Sequence, residues 1–495
     1  MPRPIRAMAS TTGYLAVAAV LTACGSAEGI TAPAPTTPTA VQKRADQPPA
    51  DAAEAPLRTD RARQGAGTLV SGGPAAPYNY APTAMLDGGR YRIWWCSQLP
   101  DVGVPGDDVL TASADSLNGP FPDGVAVLHG SGGGFDAMHT CDPSVIRVNG
   151  IYYMYYTGAA GDGALVNSIG LATSADGVTW QRNPNPIVQP SMDRQRANTY
   201  GVGQPSVLHL DGWFYLMFTD TTGAAANTAG AGQFVLRSPD PDFATSVQSL
   251  TPNGFQDVPG TKTKRSLSIS NAYSADWMWV DAMNAFAVAH EVDGKGTVIS
   301  FWDKEFTTHP YQDVVLGGPW KEGPGLVRRA DGHAPASPQD PCVRVPVDVV
   351  RATRDDGQGP TGLSRFGLDI ANANGCQTLA TGDGVAMPSP DRMIVMVYGD
   401  RLVKIERRSV SARIAVQVLD KPVPGLDSLP VVAVIKAGAP VLHSPNRPYA
   451  FLLDGKLWPV GPSAVQANSS AVTETSDADW DARPKGGDLS AFRGN

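Results

Sequence analysis

Three stretches of this chain are variants of one another: APTAMLDGGRYRIWWC from Ala81, DPSVIRVNGIYYMYYT from Asp142 and QPSVLHLDGWFYLMFT from Gln204. Each places a Pro before Ser or Thr, then a short apolar strand, a Gly-bearing turn and a second strand rich in aromatic residues. Pro82, Pro143 and Pro205 stand 61 and 62 residues apart (82 to 143, 143 to 205). A later motif recurs as well, an apolar strand ending in Ser with an Asp two residues on, in LTASADSLNG, IGLATSADGVTW and FVLRSPDPDF. Repetition at a fixed period points to stacked or radially arranged units. Each unit reads as an antiparallel sheet of about four strands, and such sheets set around an axis make a β-propeller.

Two further units are expected. WMWVDAMNAFAVAHEVDG from Trp277, with VISFWDKEF, reads as the fourth. The fifth opens at EGPGLVRRADGH from Glu322 and continues through VPVDVVRAT, FGLDIANA and MIVMVYGDRLVKIERR. The expected fold is all-β, a five-bladed β-propeller over residues 67–440. Its blades span about 70–415. Only 17% of residues are charged, while Gly (53) and Pro (43) are abundant, which favours many short strands over helices. The formal charge of −8 argues against nucleic acid as a partner.

At the N-terminus, Arg3 and Arg6 precede an apolar run too short to span a bilayer as a mature helix, so it reads as a secretory signal. Leu21-Thr22-Ala23-Cys24 closes it and resembles the lipobox of bacterial lipoproteins. That resemblance implies a signal peptide over 1–23, cleavage before Cys24, and acyl chains on Cys24 that hold the protein to a membrane outside the cytoplasm. Residues 24–66, rich in Ala, Pro, Thr and Asp, read as a disordered tether. Four of the five cysteines then remain, an even number in a secreted chain. Adjacent units would bring Cys96 and Cys141 together, leaving Cys342 and Cys376 as the second pair. No CxxC or HxxxH spacing marks a metal site. Beyond residue 440, YAFLLDGKLWPVGPSAVQ and SSAVTETSDADWDARPKGGDL resemble a short module of bacterial surface proteins, expected as a small β-rich C-terminal module over 441–495.

In a propeller the first strand of each blade lines the central channel. Residues about each unit's proline therefore converge: Asn79, Tyr80 and Ala81, His139 and Asp142, Gln204, Asp276 with Trp277, and Glu322 with His333. Rings stack on the apolar face of a sugar, while amides and carboxylates take its hydroxyls. Glu is scarce, 7 residues against 40 Asp, so each Glu is weighed as a proton donor.

CDPSVIRVNGIYYMYYTG and GQPSVLHLDGWFYLMFTDT resemble blades of five-bladed glycosidases, the clan of glycoside hydrolase family forty-three (arabinanases, arabinofuranosidases, β-xylosidases) with the invertases and levansucrases. The resemblance implies an Asp general base in the first blade, a second Asp that tunes pKa, and a Glu general acid. Here the first position is Ala81 and the third unit has Gln204, whereas Asp142 keeps the Asp-Pro form and Glu322-Gly323-Pro324 the Glu-Gly-Pro form. Asp142, Glu322 and Asp276 are the candidate catalytic carboxyls, with Glu291 a spare acid. Asn79, Tyr80, His139, Gln204, Trp277 and His333 are the candidate substrate contacts. The expected function is a surface-anchored, glycosidase-like lipoprotein, monomeric, acting on arabinose-, xylose- or fructose-containing oligo- or polysaccharides. The alternative is a non-catalytic sugar-binding or scaffold propeller, favoured by Ala81. No cofactor is expected; some relatives hold a structural cation in the channel.

Overall fold

The computed structural model describes residues 54–163, 167–191, 200–227, 230–353, 361–373 and 382–492, all within one compact unit, Arg44–Asn495. The signal peptide, Cys24, most of the tether and Cys376 lie outside the described residues.

The repeated Pro motif forms a β-bulge. In the first unit Tyr80 pairs with Cys96 and Thr83 with Trp94, so Ala81 and Pro82 together oppose Trp95. Likewise Asp142 and Pro143 oppose Tyr156, and Gln204 and Pro205 oppose Phe218. Two residues facing one bends the strand and leaves a main-chain position unpaired, which is where a proline without an N–H is tolerated in a sheet. The residue before each proline is left-handed, with φ of 45° at Ala81, 47° at Asp142 and 49° at Gln204. Opposite each bulge a ring (Trp95, Tyr156, Phe218) is 0% exposed. The Gly-bearing turns are tight hairpins with two positive-φ residues each: Gly88-Gly89, Asn149-Gly150 and Asp211-Gly212.

The strands group into successive antiparallel sheets. The first holds Tyr80–Asp87, Arg90–Ser97, Asp108–Ala114 and Val125–Leu128. The second runs from His139–Val148 to Gln181–Arg182, the third from Val202–Leu210 to Gly254–Asp257, and the fourth from Ala275–Val280 to Val314–Leu316. A fifth group holds Gly325–Arg329, Val345–Ala352, Leu363–Ile370 and, outermost, Thr59–Gln64. The first strands of consecutive groups touch in order, and Gly325–Arg329 pairs back in parallel with Tyr80–Asp87. Apolar clusters fill the spaces between neighbours. Ile146, Tyr155 and Leu171 meet Val207 and Phe234; Leu208 and Tyr215 meet Trp277 and Phe286; Ile93 and Trp95 meet Val327 and Val350. The expected disulfide is present, with Cys96 and Cys141 joined at a Cα separation of 5.0 Å between the first and second sheets. Cys342 is also disulfide-bonded.

Two expectations about the strands change. MIVMVYGDRLVKIERR does not complete the fifth group. Its strands, Ile394–Tyr398 and Arg401–Ile405, lie in a separate sheet with Val385–Pro388, Gln417–Val418 and Val431–Ile435. The fifth group is completed instead by Thr59–Gln64, from within the expected tether. Arg63 anchors that strand on Asp348 (3.2 Å) and Asp369 (3.0 Å), contacts that no local reading of a polar segment reveals. A final sheet (Val441–Ser444, Arg447–Leu453, Lys456–Val460, Val472–Glu474) shares a core with the sheet before it and with the helices Arg408–Ile414 and Pro462–Asn468.

Candidate functional site

Three bulges and the starts of two further strands set five positions side by side. Ala81, Asp142, Gln204, Ser274 and Gly323, with the residues that follow them, line one small depression of about 30 Å³. Gly323 repeats the left-handed turn of the first three, with φ of 48°. Two residues further along the chain from the first four, Thr83, Ser144, Ser206 and Asp276 gather on the Arg328 guanidinium. Arg328 donates to Thr83 Oγ1 (3.0 Å), Ser144 Oγ (3.4 Å) and the carbonyls of Val207 and Trp277 (3.0 Å each), and pairs with Asp276 at 3.3 Å. A buried charge of this kind is stable only when its donors are satisfied. Arg328 is therefore the floor of the depression. Asp276 serves that floor, since its other oxygen accepts from the Leu326 N–H at 2.7 Å.

One residue before each bulge stand Tyr80, Cys141, Gly203, Tyr273 and Glu322. Around them is a second set of polar groups. Asp142 is 9% exposed. Burial pushes its carboxyl up to about 6, against hydrogen bonds from Thr157 and Tyr200, with the charge of Asp107 adding to the rise. Glu322 is pushed up to about 7 by burial and then by the charges of Asp142 and Asp107. Asp107 behaves oppositely. Burial pushes it up, but hydrogen bonds from His139 (2.9 Å), Gln98 (2.9 Å) and Tyr80 outweigh that and hold it below the ordinary Asp value. His139 is raised by its bond to Asp107 and also reaches Asp162 at 3.2 Å. Burial and the neighbouring carboxylates push Tyr80, Tyr200 and Tyr273 up, so all three phenols remain donors. Tyr200 and Tyr273 meet edge to face at 5.2 Å. Gly203 makes room for this set, because a Cβ there would lie 2.6 Å from the Tyr200 hydroxyl and 2.7 Å from Thr157 Oγ1. Gln204 donates its backbone N–H to Thr157 at 2.8 Å, while its buried side-chain oxygen has no hydrogen-bond partner among the described residues.

Tyr80, Asp142, Gln204 and Glu322 thus meet as expected, with His139 joined to them through Asp107. Three expected sugar contacts lie elsewhere. Asn79 is fully buried, accepting from Trp95 Nε1 at 2.7 Å and donating to Thr361 O at 2.9 Å. Trp277 is stacked on Phe286 in the core, 5.1 Å between ring centres, because strand alternation turns it away from its neighbour Asp276. His333 lies beyond the far end of its strand, bonded to Asp281 at 3.1 Å. Glu291 pairs with Arg351 at 3.6 Å. The sequence reading missed Asp107, Thr157, Tyr200 and Tyr273. Tyr273 carried a signal, since it immediately precedes Ser274 as Tyr80 precedes Ala81; Asp107 sits in a loop that no repeat position indexes. Asp107 and the sulfurs of Cys96 and Cys141 lie within 4.8 Å of one another. Both sulfurs are spent in the disulfide, so this trio offers a single ionised ligand.

No family model matches the chain, and no curated protein matches it. Among solved structures it is similar to a family 117 glycoside hydrolase of the marine bacterium Zobellia galactanivorans (13% identity, TM-score 0.45, covering 64% of this chain and 92% of that one). It is also similar to the catalytic domain of a family 62 α-L-arabinofuranosidase of Coprinopsis cinerea (14%, 0.40, 63% and 97%) and to an α-L-arabinofuranosidase of Podospora anserina (11%, 0.40, 63% and 98%). At such identities and scores these likenesses carry no argument about activity.

Proposed function

We propose that the five sheet groups are the blades of a five-bladed propeller and that its mouth binds and hydrolyses a glycan. The observation that carries this reading is the meeting of Asp142 and Glu322 over the bulges, with ionised Asp107 beside them and three phenols around them. Titratable groups pushed to different values in one site are the mark of acid/base work. Glu322, held protonated to about pH 7, donates its proton to the glycosidic oxygen as the C–O bond breaks. Asp142, ionised above about pH 6, takes a proton from the water whose oxygen bonds to the anomeric carbon. Asp107 is the fixed negative charge that raises both, supplied by a loop rather than by the first-blade position, where Ala81 stands. The phenols and Gln204 take sugar hydroxyls. Asp276 is assigned to the floor and not to catalysis.

The sugars in view are arabinose, xylose and fructose units of oligo- or polysaccharides. Hydrolysis of arabino- and xylo-oligosaccharides by wild type and by Glu322→Gln tests the reading. A fall of about 10²–10⁴-fold in kcat is expected, and equal rates would overturn it. A second reading, a glycan-binding or scaffold propeller without turnover, is favoured by Ala81 and by the small depression; binding without hydrolysis by wild type would select it.

The Leu21–Cys24 tetrad supports a lipid-anchored protein outside the cytoplasm, and the Cys96–Cys141 disulfide fits an oxidising compartment. No helix among the described residues is long and apolar enough to cross a membrane. Cys24→Ala is expected to abolish acyl labelling and release the protein from membranes; unchanged membrane association would overturn the anchor.

A further inference from the structure

A cavity far larger than the depression over Arg328 lies outside the mouth. It measures about 640 Å³ and lies on the fourth sheet, lined by Asn271, His290, Glu291, Ser300, His309 and Asp313 among others. That volume falls within the roughly 300–1,000 Å³ usual for small-molecule sites, whereas the depression over Arg328 is far below it.

The two hollows share a wall. Residues 269–272 line the cavity, Ser274 and Ala275 line the depression, and Tyr273 stands between them, 40% exposed. Ala275 pairs directly with His290, so the strands that frame the mouth also carry the cavity lining. The wall is held from behind, since Gln233 Nε2 donates to the carbonyls of Ala272 (3.0 Å) and Tyr273 (3.2 Å), and Thr219 donates to Tyr273 as well. Tyr273 is thus a fixed aromatic ridge rather than a loop tip.

The chemistry of the lining selects a ligand class. Burial pushes the imidazoles of His290 and His309 below the ordinary His value, so near neutral pH each has one donor and one acceptor nitrogen. His290 Nδ1 is removed from solvent and has no hydrogen-bond partner among the described residues. Glu54, Glu291, Asp293 and Asp313 outnumber Lys295 in the lining, which disfavours an anion and suits neutral hydroxyls.

We propose that this cavity is a distal subsite for the uncharged end of a glycan chain that enters the mouth, crosses the Tyr273 ridge and continues over the fourth sheet. The proposal rests on the glycan reading of the mouth. It adds that the protein prefers chains of several neutral sugars over disaccharides, and over uronic-acid chains.

The test is calorimetric binding of neutral xylo- and arabino-oligosaccharides of two to six units, with trigalacturonic acid as the charged probe, to the Glu322→Gln protein, in which turnover does not consume them. Affinity is expected to rise about tenfold between the short and long neutral chains. Ser300→Trp, which fills the cavity, is expected to erase that rise while leaving the short chains unaffected. Asn271→Ala, at an exposed position, should reduce it in a background that folds as wild type. A length dependence that survives both changes would overturn the subsite and leave the mouth reading standing. Equal wild-type and Glu322→Gln hydrolysis would strike the mouth reading instead, and the length dependence would still decide the cavity. No binding by any probe would overturn both.

Discussion

Two clusters of partly buried acids sit near opposite ends of the strand Gly325–Arg329. At one end Asp107, Asp142 and Glu322 crowd together with His139 as the partner of Asp107 alone. At the other, Asp281 and Asp331 close on Arg329 (3.2 and 2.6 Å) and on His333. Burial pushes Asp331 up, but Arg329 and His333 outweigh it and hold it down at about 2; burial pushes His333 down, but Asp331 and Asp281 raise it to about 9. The residue types are nearly the same, and the counter-charge decides the outcome. Where each acid has a cation, protons are fixed and the cluster ties elements together. Where negative charge is left uncompensated, a proton is held loosely enough to be given away.

This contrast breaks most visibly at Arg329. Arg329→Met removes a fully buried guanidinium and leaves the partly buried Asp281 and Asp331 with His333 alone, and a loss of about 3–5 kcal/mol is expected in denaturant unfolding. A loss no larger than that of an exposed-residue change would mean the cluster is not a structural tie.

The stability of the two clusters should also answer pH in opposite directions. Glu322 binds its proton more tightly folded than unfolded, so its contribution is present below 4.5 and is lost as pH rises toward about 7. Asp331, depressed in the fold, contributes above 3.8 and loses that contribution as pH falls toward about 2. Glu322→Gln is expected to be as stable as wild type or more so at pH 8 and to flatten the 4.5–7 slope, measured by urea unfolding across pH. An unchanged slope would remove Glu322 as its source.

Smaller effects sharpen the mouth itself. The pH–rate profile is expected to be a narrow bell with limbs near 6 and 7, values that belong to the Asp142–Glu322 pair as a unit. Asp107→Asn removes a negative charge that raises both, so both limbs should move to lower pH; a bell that stays in place would show Asp107 to be a bystander. Gly203→Ala should push Tyr200 and Thr157 off Asp142, raising the acid limb and lowering kcat/KM about tenfold. If the acid limb does not move, those hydroxyls do not set the Asp142 value.

Much of this molecule is legible in its sequence because the repeat is local. Three Pro motifs, three hairpin turns and an aromatic opposite each bulge sit within short windows, and the Cys96–Cys141 pair follows once two such units are neighbours. Glu322 could be picked out because Gly323-Pro324 follows it as Ala81-Pro82, Asp142-Pro143 and Gln204-Pro205 follow Tyr80, Cys141 and Gly203. What escapes depends on distant chain. Asp107 joins the mouth from a Gly- and Asp-rich loop, and Thr59–Gln64 pairs with residues some three hundred positions later. Trp277 misleads for another reason: an aromatic beside a channel residue is, by alternation, turned into the space between sheets.

That borrowed strand has a mechanical meaning. Thr59–Gln64 runs antiparallel to Leu363–Ile370, so its ladder bonds lie across the strand axis. A pull on the chain before Thr59, directed along the strand, loads those bonds together in shear instead of opening them one at a time. The Arg63 contacts with Asp348 and Asp369 add a cross-pin to the same seam. Tension from the preceding residues therefore meets the Ala55–Tyr311 bridge first and then this outermost strand of the fifth group, which it loads in the direction that a sheet best resists.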